Sequence, residues 1–116
     1  MTCHVSIQKH DHFRSPSLMK WAHNKPCTLR LPGICKGNTE TTCGCHLNYG
    51  WAGKGMKIKA DDVIVIGCHD CHQVMDGANE NAWATIYGDR DFYWLRGLFE
   101  TQRMVLKAIK SGELKI

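Results

Sequence analysis

Two pairs of cysteines flank the middle of this sequence. Cys68 and Cys71 are three residues apart, and Cys27 and Cys35 lie upstream, with Pro32-Gly33 between them. Two such pairs can supply the four thiolates of a tetrahedral zinc site. The alternative is a set of buried free thiols, but the paired spacing favours structural Zn²⁺ held by these four cysteines.

Three further residues could carry out acid–base and metal chemistry. His72 and Asp76 are four residues apart, so on a helix they share a face and could hold a divalent cation. His46, between the cysteine pairs, could take a proton from water. A base and a cation are the parts needed to hydrolyse a phosphodiester. The alternatives are a core histidine for His46, support of the zinc for His72 and a helix-surface carboxylate for Asp76.

The second cysteine pair also allows a different interpretation. Cys68, Cys71 and His72 form Cys-x-x-Cys-His, the attachment motif of c-type haem. This interpretation leaves Cys27 and Cys35 unexplained. Attachment also normally follows export, and the first residues do not resemble a signal peptide. We therefore favour the zinc interpretation.

The elements that must position these residues follow from local patterns. Ser15-Pro16-Ser17 predicts a helix start, and the helix continues to His23. Pro32-Gly33 predicts a turn between two short extended pieces. Residues 40–47 are typical of a strand that ends at a functional position, and residues 63–66 of a buried strand. A second helix is expected from about Asp70 to Gly77.

The C-terminal part is predicted to be helical. Residues 79–87 could form a short helix or a lid, and a long helix is expected over residues 90–110, ended by Gly112. Apolar residues recur along it at helical spacing, which we interpret as core packing or a dimer seam. They are Phe92, Leu95, Leu98, Phe99, Val105, Leu106 and Ile109.

Composition indicates one small domain, and its positive charge fits either a polyanionic partner, most simply nucleic acid, or an ordinary solvated surface. The chain has 116 residues and seven cysteines, and the absence of a signal-peptide-like or membrane-spanning run favours a reducing cytosol and no membrane partner. Its net charge of +4 is uneven, because residues 1–60 hold nine Lys and Arg against two acidic residues. Within this half, Lys54, Lys57 and Lys59 lie in a glycine-rich loop with two aromatic residues and could bind a nucleic-acid backbone.

Together these residues resemble a known superfamily. The pattern is similar to the HNH nucleases, or ββα-metal fingers, in the version with a four-cysteine zinc site. It resembles more closely the small phage and prophage family typified by the YbcO protein. The resemblance runs from about Ser15 to Asp76, with a looser helical match beyond. It rests on the segments Cys27–Cys35, Glu40-Thr-Thr, His46, Gly55-Met56-Lys57, Asp61, Cys68–His72 and Asp76.

The resemblance implies a role for each matching position. His46 falls on the general base, and His72 and Asp76 fall on the metal-binding positions of the helix. Cys45 falls where many members have an aspartate or histidine ligand. Because thiolates prefer soft metals, either Cys45 is not a ligand or the cation is a softer transition ion than Mg²⁺ or Mn²⁺. The central asparagine has no clear counterpart, and Asp61 and Asp62 lie nearest.

These observations predict an α+β fold, a zinc-stabilised ββα finger, in a single domain. Residues 1–26 would form an arm and short helix, 27–78 the zinc-clamped core and 79–116 a helical extension. The predicted function is metal-dependent cleavage of DNA in phage or prophage DNA processing or recombination, in the bacterial cytoplasm. A homodimer and a phage or host recombination protein are possible partners. The alternative is a non-catalytic zinc-stabilised module that binds DNA or protein.

Overall fold

The computed structural model describes residues 13–46, 61–77 and 90–116. These residues form three helices and a two-stranded antiparallel sheet, in a small mixed α/β arrangement. The elements are α1 (Pro16–Ala22), β1 (Cys43–His46), β2 (Ile64–Gly67), α2 (His69–Met75) and α3 (Arg90–Ser111). The expected helix or lid at residues 79–87, the basic loop and the first twelve residues of the arm lie outside the described residues.

Helix α1 begins as its sequence predicts. The Ser15 hydroxyl accepts a hydrogen bond from the backbone N–H of Leu18 at 3.2 Å, and Pro16 occupies the first turn. A proline there gives up no helical hydrogen bond, because that N–H has no partner inside the helix. Leu18 and Ala22 are buried and fix the inner face of the helix.

The Pro-Gly turn between the first two cysteines is also present. The backbone N–H of Ile34 donates to the Leu31 carbonyl at 3.1 Å, which closes a turn with Pro32 and Gly33 at its centre. Gly33 has a φ of 75°, in the left-handed region that favours glycine. The turn brings Cys35 back towards Cys27 and so prepares one side of a metal centre.

Strands β1 and β2 pair so that their residues alternate between two faces. Cys43 lies opposite Gly67, and Cys45 lies opposite Val65. His46 lies opposite Ile64 on the other face, because successive side chains of a strand point to opposite sides. Gly67 leaves room on the cysteine face, where a Cβ would approach the Cys45 Sγ to 3.2 Å.

Helix α2 starts directly after β2. Cys68 is its N-cap residue, and its carbonyl accepts a hydrogen bond from the backbone N–H of His72 at 2.9 Å. Cys71, Val74 and Met75 point into the core. Gly77, at a φ of 84°, follows the last turn, where glycine avoids a steric penalty.

Helix α3 packs on the sheet through a face that the apolar pattern does not mark. Its buried residues are Tyr93, Trp94, Gly97, Thr101 and Ala108. The core-packing interpretation of the apolar stripe is therefore wrong for most of its members, which are exposed by 42–59%. These exposed residues are Phe92, Leu95, Phe99, Leu106 and Ile109.

The close contact of α3 with the sheet explains this difference. A Cβ at position 97 would lie 2.7 Å from Val65 Cγ1, so only glycine allows the present distance between helix and strand. Thr101 adds a polar contact, because its hydroxyl accepts a hydrogen bond from the Ile66 N–H at 3.0 Å. Small and polar residues thus make this interface. Among the described residues, no helix combines the length and apolar character needed to cross a membrane.

Candidate active site and metal centres

The first candidate metal centre is formed by Cys27, Cys35, Cys68 and Cys71. The four Sγ atoms lie within 4.8 Å of one another. A tetrahedral zinc ion with Zn–S bonds of about 2.3 Å requires sulfur atoms about 3.8 Å apart, which is close to this arrangement. The donor set therefore fits zinc. The Pro-Gly turn supplies one pair, and the β2–α2 junction supplies the other.

The surroundings of this centre favour a thiolate at Cys27, whereas burial raises the pKa of Cys35. The backbone N–H of Cys68 donates to the Cys27 Sγ at 3.3 Å. A hydrogen bond with the Cys71 thiol, reinforced by backbone N–H groups and opposed by burial, lowers the pKa of Cys27. The same thiol pair raises the pKa of Cys71. A metal ion bound here would require all four cysteines as thiolates, so binding would release protons.

A second candidate metal centre combines the predicted ligand His72 with Cys45, whose role was left open, and Cys43, which was not predicted as a ligand. Cys43, Cys45 and His72 place their ligand atoms within 4.8 Å of one another. Cys43 and Cys45 lie on the same face of β1 because they are two residues apart. His72 reaches them from α2, one residue beyond a member of the first centre.

Charge in the second centre is concentrated on Cys43. Hydrogen bonds with the Cys45 thiol and with His72 lower the pKa of Cys43. The hydrogen bond with Cys43 raises the pKa of His72, and burial opposes this effect. His72 Nε2 also lies 3.1 Å from the Asp76 Oδ2. The imidazole therefore links a thiol pair to a half-exposed carboxylate.

His46 is paired with a buried carboxylate. Its Nε2 lies 2.8 Å from the Oδ1 of Asp61, and the two side chains are 19% and 1% exposed. A carboxylate ion can only accept hydrogen bonds, so Nε2 carries the proton and donates it to Asp61. In the neutral imidazole this arrangement leaves the Nδ1 lone pair as the basic site.

Asp61 is held by the segment that precedes α1. Its Oδ2 accepts a hydrogen bond from the Ser15 N–H at 2.8 Å and lies 3.6 Å from Arg14 Nε. Burial raises the pKa of Asp61, but the bonds with His46 and Ser15 and the Arg14 charge together lower it below its usual value. The Asp61 N–H donates to the Phe13 carbonyl at 2.7 Å, which completes the anchor.

The structure thus distributes the predicted site residues over three groups. The four cysteines come together, and His72 contacts Asp76. His46 belongs to neither of these groups and contacts Asp61 instead. Because Cys45 and His46 are consecutive, the second centre and the His46–Asp61 pair lie on opposite sides of the end of β1. Lys54, Lys57 and Lys59 lie outside the described residues, and His69, between Cys68 and Cys71, is exposed.

Two features of the site were not predicted. Cys43 was missed and the role of Cys45 was left open, although their i, i+2 spacing on a predicted strand is a signal that both thiols share a face. Asp61 was named only as one of two residues nearest to the missing central asparagine, not as the partner of His46. No local pattern reveals that Asp61 would be buried, because its burial depends on contacts with residues 13–15, which are far away in sequence.

A groove of about 440 Å³ lies beside Asp61 but is unsuited to the same chemistry. Its walls are mainly apolar and come from α3, α1 and the start of β2 with the segment before it, whereas a phosphate requires polar and cationic groups. They include Leu18, Ile64, Leu98, Val105, Leu106 and Ile109.

Comparison with known proteins identifies the family. A family described as "Putative nuclease YbcO" matches residues 16–109, which is most of the chain. The chain belongs to the YbcO family. The match includes both candidate metal centres and the His46–Asp61 pair.

Individual relatives agree with this assignment to the YbcO family. The chain is 38% identical over 60 residues to "Putative nuclease YbcO" of Escherichia coli (strain K12), and equally to "Putative nuclease ybcO" of Enterobacteria phage 82. Each alignment covers 51% of this chain, and the chain spans 62% of the length of these relatives.

A solved structure shows a similar fold. It is described as "Structure of a putative bacteriophage protein from Escherichia coli str. K-12 substr. MG1655", and its similarity has a TM-score of 0.53 at 25% identity. The similarity covers 80% of this chain and 96% of the other.

Proposed function

We propose that this protein is a metal-dependent endonuclease of the HNH type that hydrolyses phosphodiester bonds in DNA. The observation that carries the proposal is the contact between His46 and buried Asp61 at the end of β1, the strand that also holds Cys43 and Cys45 of the second candidate metal centre. The order β1, β2, α2 matches the ββα finger that the resemblance implies. The relatives named as nucleases support the same activity.

In this proposal His46 is the general base. Asp61 holds the proton on Nε2 and fixes the orientation of the ring, so Nδ1 can accept a proton from water. The partial exposure of His46, at 19%, suits a group that must reach both solvent and substrate. Asp61 acts through His46 and is a positioning residue.

The cation of the reaction is assigned to the side of the site that holds His72 and Asp76. Their contact on α2 places an imidazole and a carboxylate next to each other. A divalent cation there would stabilise charge on the phosphoryl oxygens and on the leaving oxygen. The four-cysteine centre fixes the start of α2 and thereby the position of His72, while Lys54, Lys57 and Lys59 are proposed to contact the DNA backbone.

The domain limits and the biological setting remain part of the proposal. We assign residues 27–78 to the zinc-clamped core, with the arm and short helix before it and the helical extension after it. The phage and Escherichia coli relatives support a role in phage or prophage DNA processing in the bacterial cytoplasm. A phage or host recombination protein is the proposed partner, and the exposed apolar residues of α3 would suit a homodimer.

The experiment is supercoiled-plasmid cleavage after removal of loosely bound metal. Wild type is incubated with Mg²⁺, Mn²⁺, Ni²⁺ or Zn²⁺, beside His46→Ala and the control His69→Ala. General bases contribute about 10²- to 10⁴-fold to rate, so His46→Ala should lose at least about 10²-fold. His69 is exposed on the same helix as His72, and its removal should leave cleavage unchanged.

Two outcomes would contradict the proposal. Equal cutting by wild type and His46→Ala would show a different base or a contaminating enzyme. No cutting by folded, zinc-loaded wild type with any of the four cations, together with retained DNA binding, would favour the non-catalytic zinc-stabilised module.

A further inference from the structure

We infer that Cys43, Cys45 and His72 form a second zinc-class metal site, so that each chain binds two soft metal ions through separate cysteine clusters. The inference deepens the proposed function, on which it rests for the use of the site. It adds two thiolate ligands to the proposed cation site, and these ligands determine the class of cation that the site binds. Ion binding itself can be measured without DNA.

The geometry that supports this site is independent of the first centre. All three ligand atoms lie within 4.8 Å of one another, as do those of the four-cysteine centre. Cys45 is completely buried, whereas Cys43 and His72 are half-buried. A site of this kind is closed towards the core and accessible from one side. An ion could therefore enter without opening the sheet.

The chemistry of the donors selects the ion. Two thiolates and one imidazole are soft or borderline ligands, which favour Zn²⁺ and related transition ions over Mg²⁺. Mg²⁺ requires oxygen ligands in near-octahedral geometry, and Cys43 and Cys45 offer none through their side chains. A tight site for Zn²⁺ and a weak one for Mg²⁺ follow from these ligands alone.

In this site Asp76 orients the imidazole and is not itself a ligand, which replaces its predicted role in holding the cation. Its Oδ2 lies 3.1 Å from His72 Nε2, so the ring can present Nδ1 to the ion. Histidine ligands usually donate their other N–H to such a group, and loss of that group typically weakens metal binding by about 10- to 100-fold. Asp76 is not part of the cluster of mutually close ligand atoms, which agrees with this outer position.

The number of ligands also distinguishes the two centres. The first has four thiolates and is complete, as in structural zinc sites. The second has three protein ligands among residues 13–46, 61–77 and 90–116, which leaves one coordination position for an exogenous ligand, as in catalytic zinc sites. The two adjacent residues Cys71 and His72 thus belong to centres with different expected roles.

The test is the metal content of the full-length protein. After reconstitution with Zn²⁺ and removal of weakly bound ion, wild type should hold about two equivalents per chain, one for each centre. Cys43→Ala/Cys45→Ala and His72→Ala should hold about one. His69→Ala is the matched control and should hold two. Circular dichroism confirms that each variant is folded.

Cobalt supplies a second readout that does not depend on stoichiometry alone. Thiolate-to-cobalt absorption grows with the number of Co–S bonds, of which the first centre would have four and the second two. Loss of the two bonds in the double variant should therefore reduce the absorption by about one third. In Asp76→Asn the zinc content at saturation should stay unchanged, while affinity for the second ion falls by about 10- to 100-fold. Competition with a chromophoric chelator measures that affinity.

A wild type that holds only one equivalent, or a folded double variant that still holds two, would overturn the inference. Should the double variant not fold, Cys43→Ala and His72→Ala still test it, since both positions are half-buried. Plasmid cleavage with Mg²⁺ by protein that holds one zinc would overturn this inference but leave the proposed nuclease activity intact. Two zinc equivalents per chain without plasmid cleavage would support this inference and contradict the proposed nuclease activity.

Discussion

At the scale of single residues, the His46–Asp61 pair ties a partly exposed imidazole to a buried charge. Asp61 is 1% exposed and touches the main chain of residues 13 and 15 as well as His46. A buried carboxylate is stable only when its hydrogen-bonding capacity is used. The orientation of the imidazole is therefore tied to a segment that carries no catalytic group.

Substitution Asp61→Asn tests this dependence. It removes the charge and can place an amide donor against His46, so the free energy of unfolding should fall by about 2–4 kcal/mol. In cleavage assays the kcat should fall while the KM for DNA stays nearly constant, because Asp61 acts through the base. The control is Asp62→Asn at the exposed neighbour. Equal kcat values for wild type and Asp61→Asn would contradict the positioning role.

The stability difference between wild type and Asp61→Asn should also depend on pH, in a defined direction. Because the folded state lowers the pKa of Asp61, its stabilising contribution is present above the usual carboxyl range, near pH 4, and is lost as pH falls through the lower folded value. The stability difference between wild type and Asp61→Asn should therefore shrink in acid. Denaturant unfolding of both proteins at matched pH removes the shared effect of zinc release. A difference that grows below pH 4 would contradict this assignment.

At the scale of elements, the sequence predicts where helices, turns and strands lie better than it predicts which of their faces are in contact. The cap at Ser15, the Pro-Gly turn and the strand before Cys68 were predictable because each depends on neighbouring residues. The packing face of α3 was not, because large apolar residues normally mark the buried side of a helix. Here Gly97 and Thr101 lie against β2, since close approach and a hydrogen bond determine that contact.

Substitution Gly97→Ala separates packing from helix propensity. Alanine is favoured over glycine in a helix by about 1 kcal/mol, but here its Cβ would lie 2.7 Å from Val65 Cγ1. Overpacking of this kind typically costs about 1–3 kcal/mol, so we expect net destabilisation in denaturant unfolding. Val65→Ala should rescue the variant in part. Arg103→Ala, at an exposed position of α3, is the control and should have little effect.

At the scale of the whole molecule, the cysteines contribute both to the small hydrophobic core and to a candidate metal centre that could stabilise it. Four of the buried residues in the larger core cluster are cysteines, and three of those belong to the first metal centre. Their pairing could be predicted from spacing alone. The second centre could not, because its members come from β1 and α2 and meet only when the sheet has formed.

Removal of metal should therefore unfold the protein. Structural zinc contributes about 10 kcal/mol or more of apparent free energy in small zinc-binding domains, which is as large as the usual stability of a whole domain, about 5–15 kcal/mol. We expect a chelator to abolish the cooperative thermal transition, and added Zn²⁺ to restore it. Cys71→Ser should behave like the chelated protein. A chelated protein that keeps its melting temperature would contradict a structural role for the ion.

The hydrogen bonds between α3 and β2 have a consequence for aggregation. Ile66 turns its N–H and carbonyl away from β1, and these groups bind the Thr101 hydroxyl and the backbone and hydroxyl of Thr28. The outer edge of β2 is therefore occupied, although residues 64–66 are three consecutive aliphatic residues of the kind that recruit further strands. Helix α3 thus helps to protect this strand edge from cross-β assembly. A chain that loses α3 would expose backbone groups that can pair with another strand, as well as part of its core.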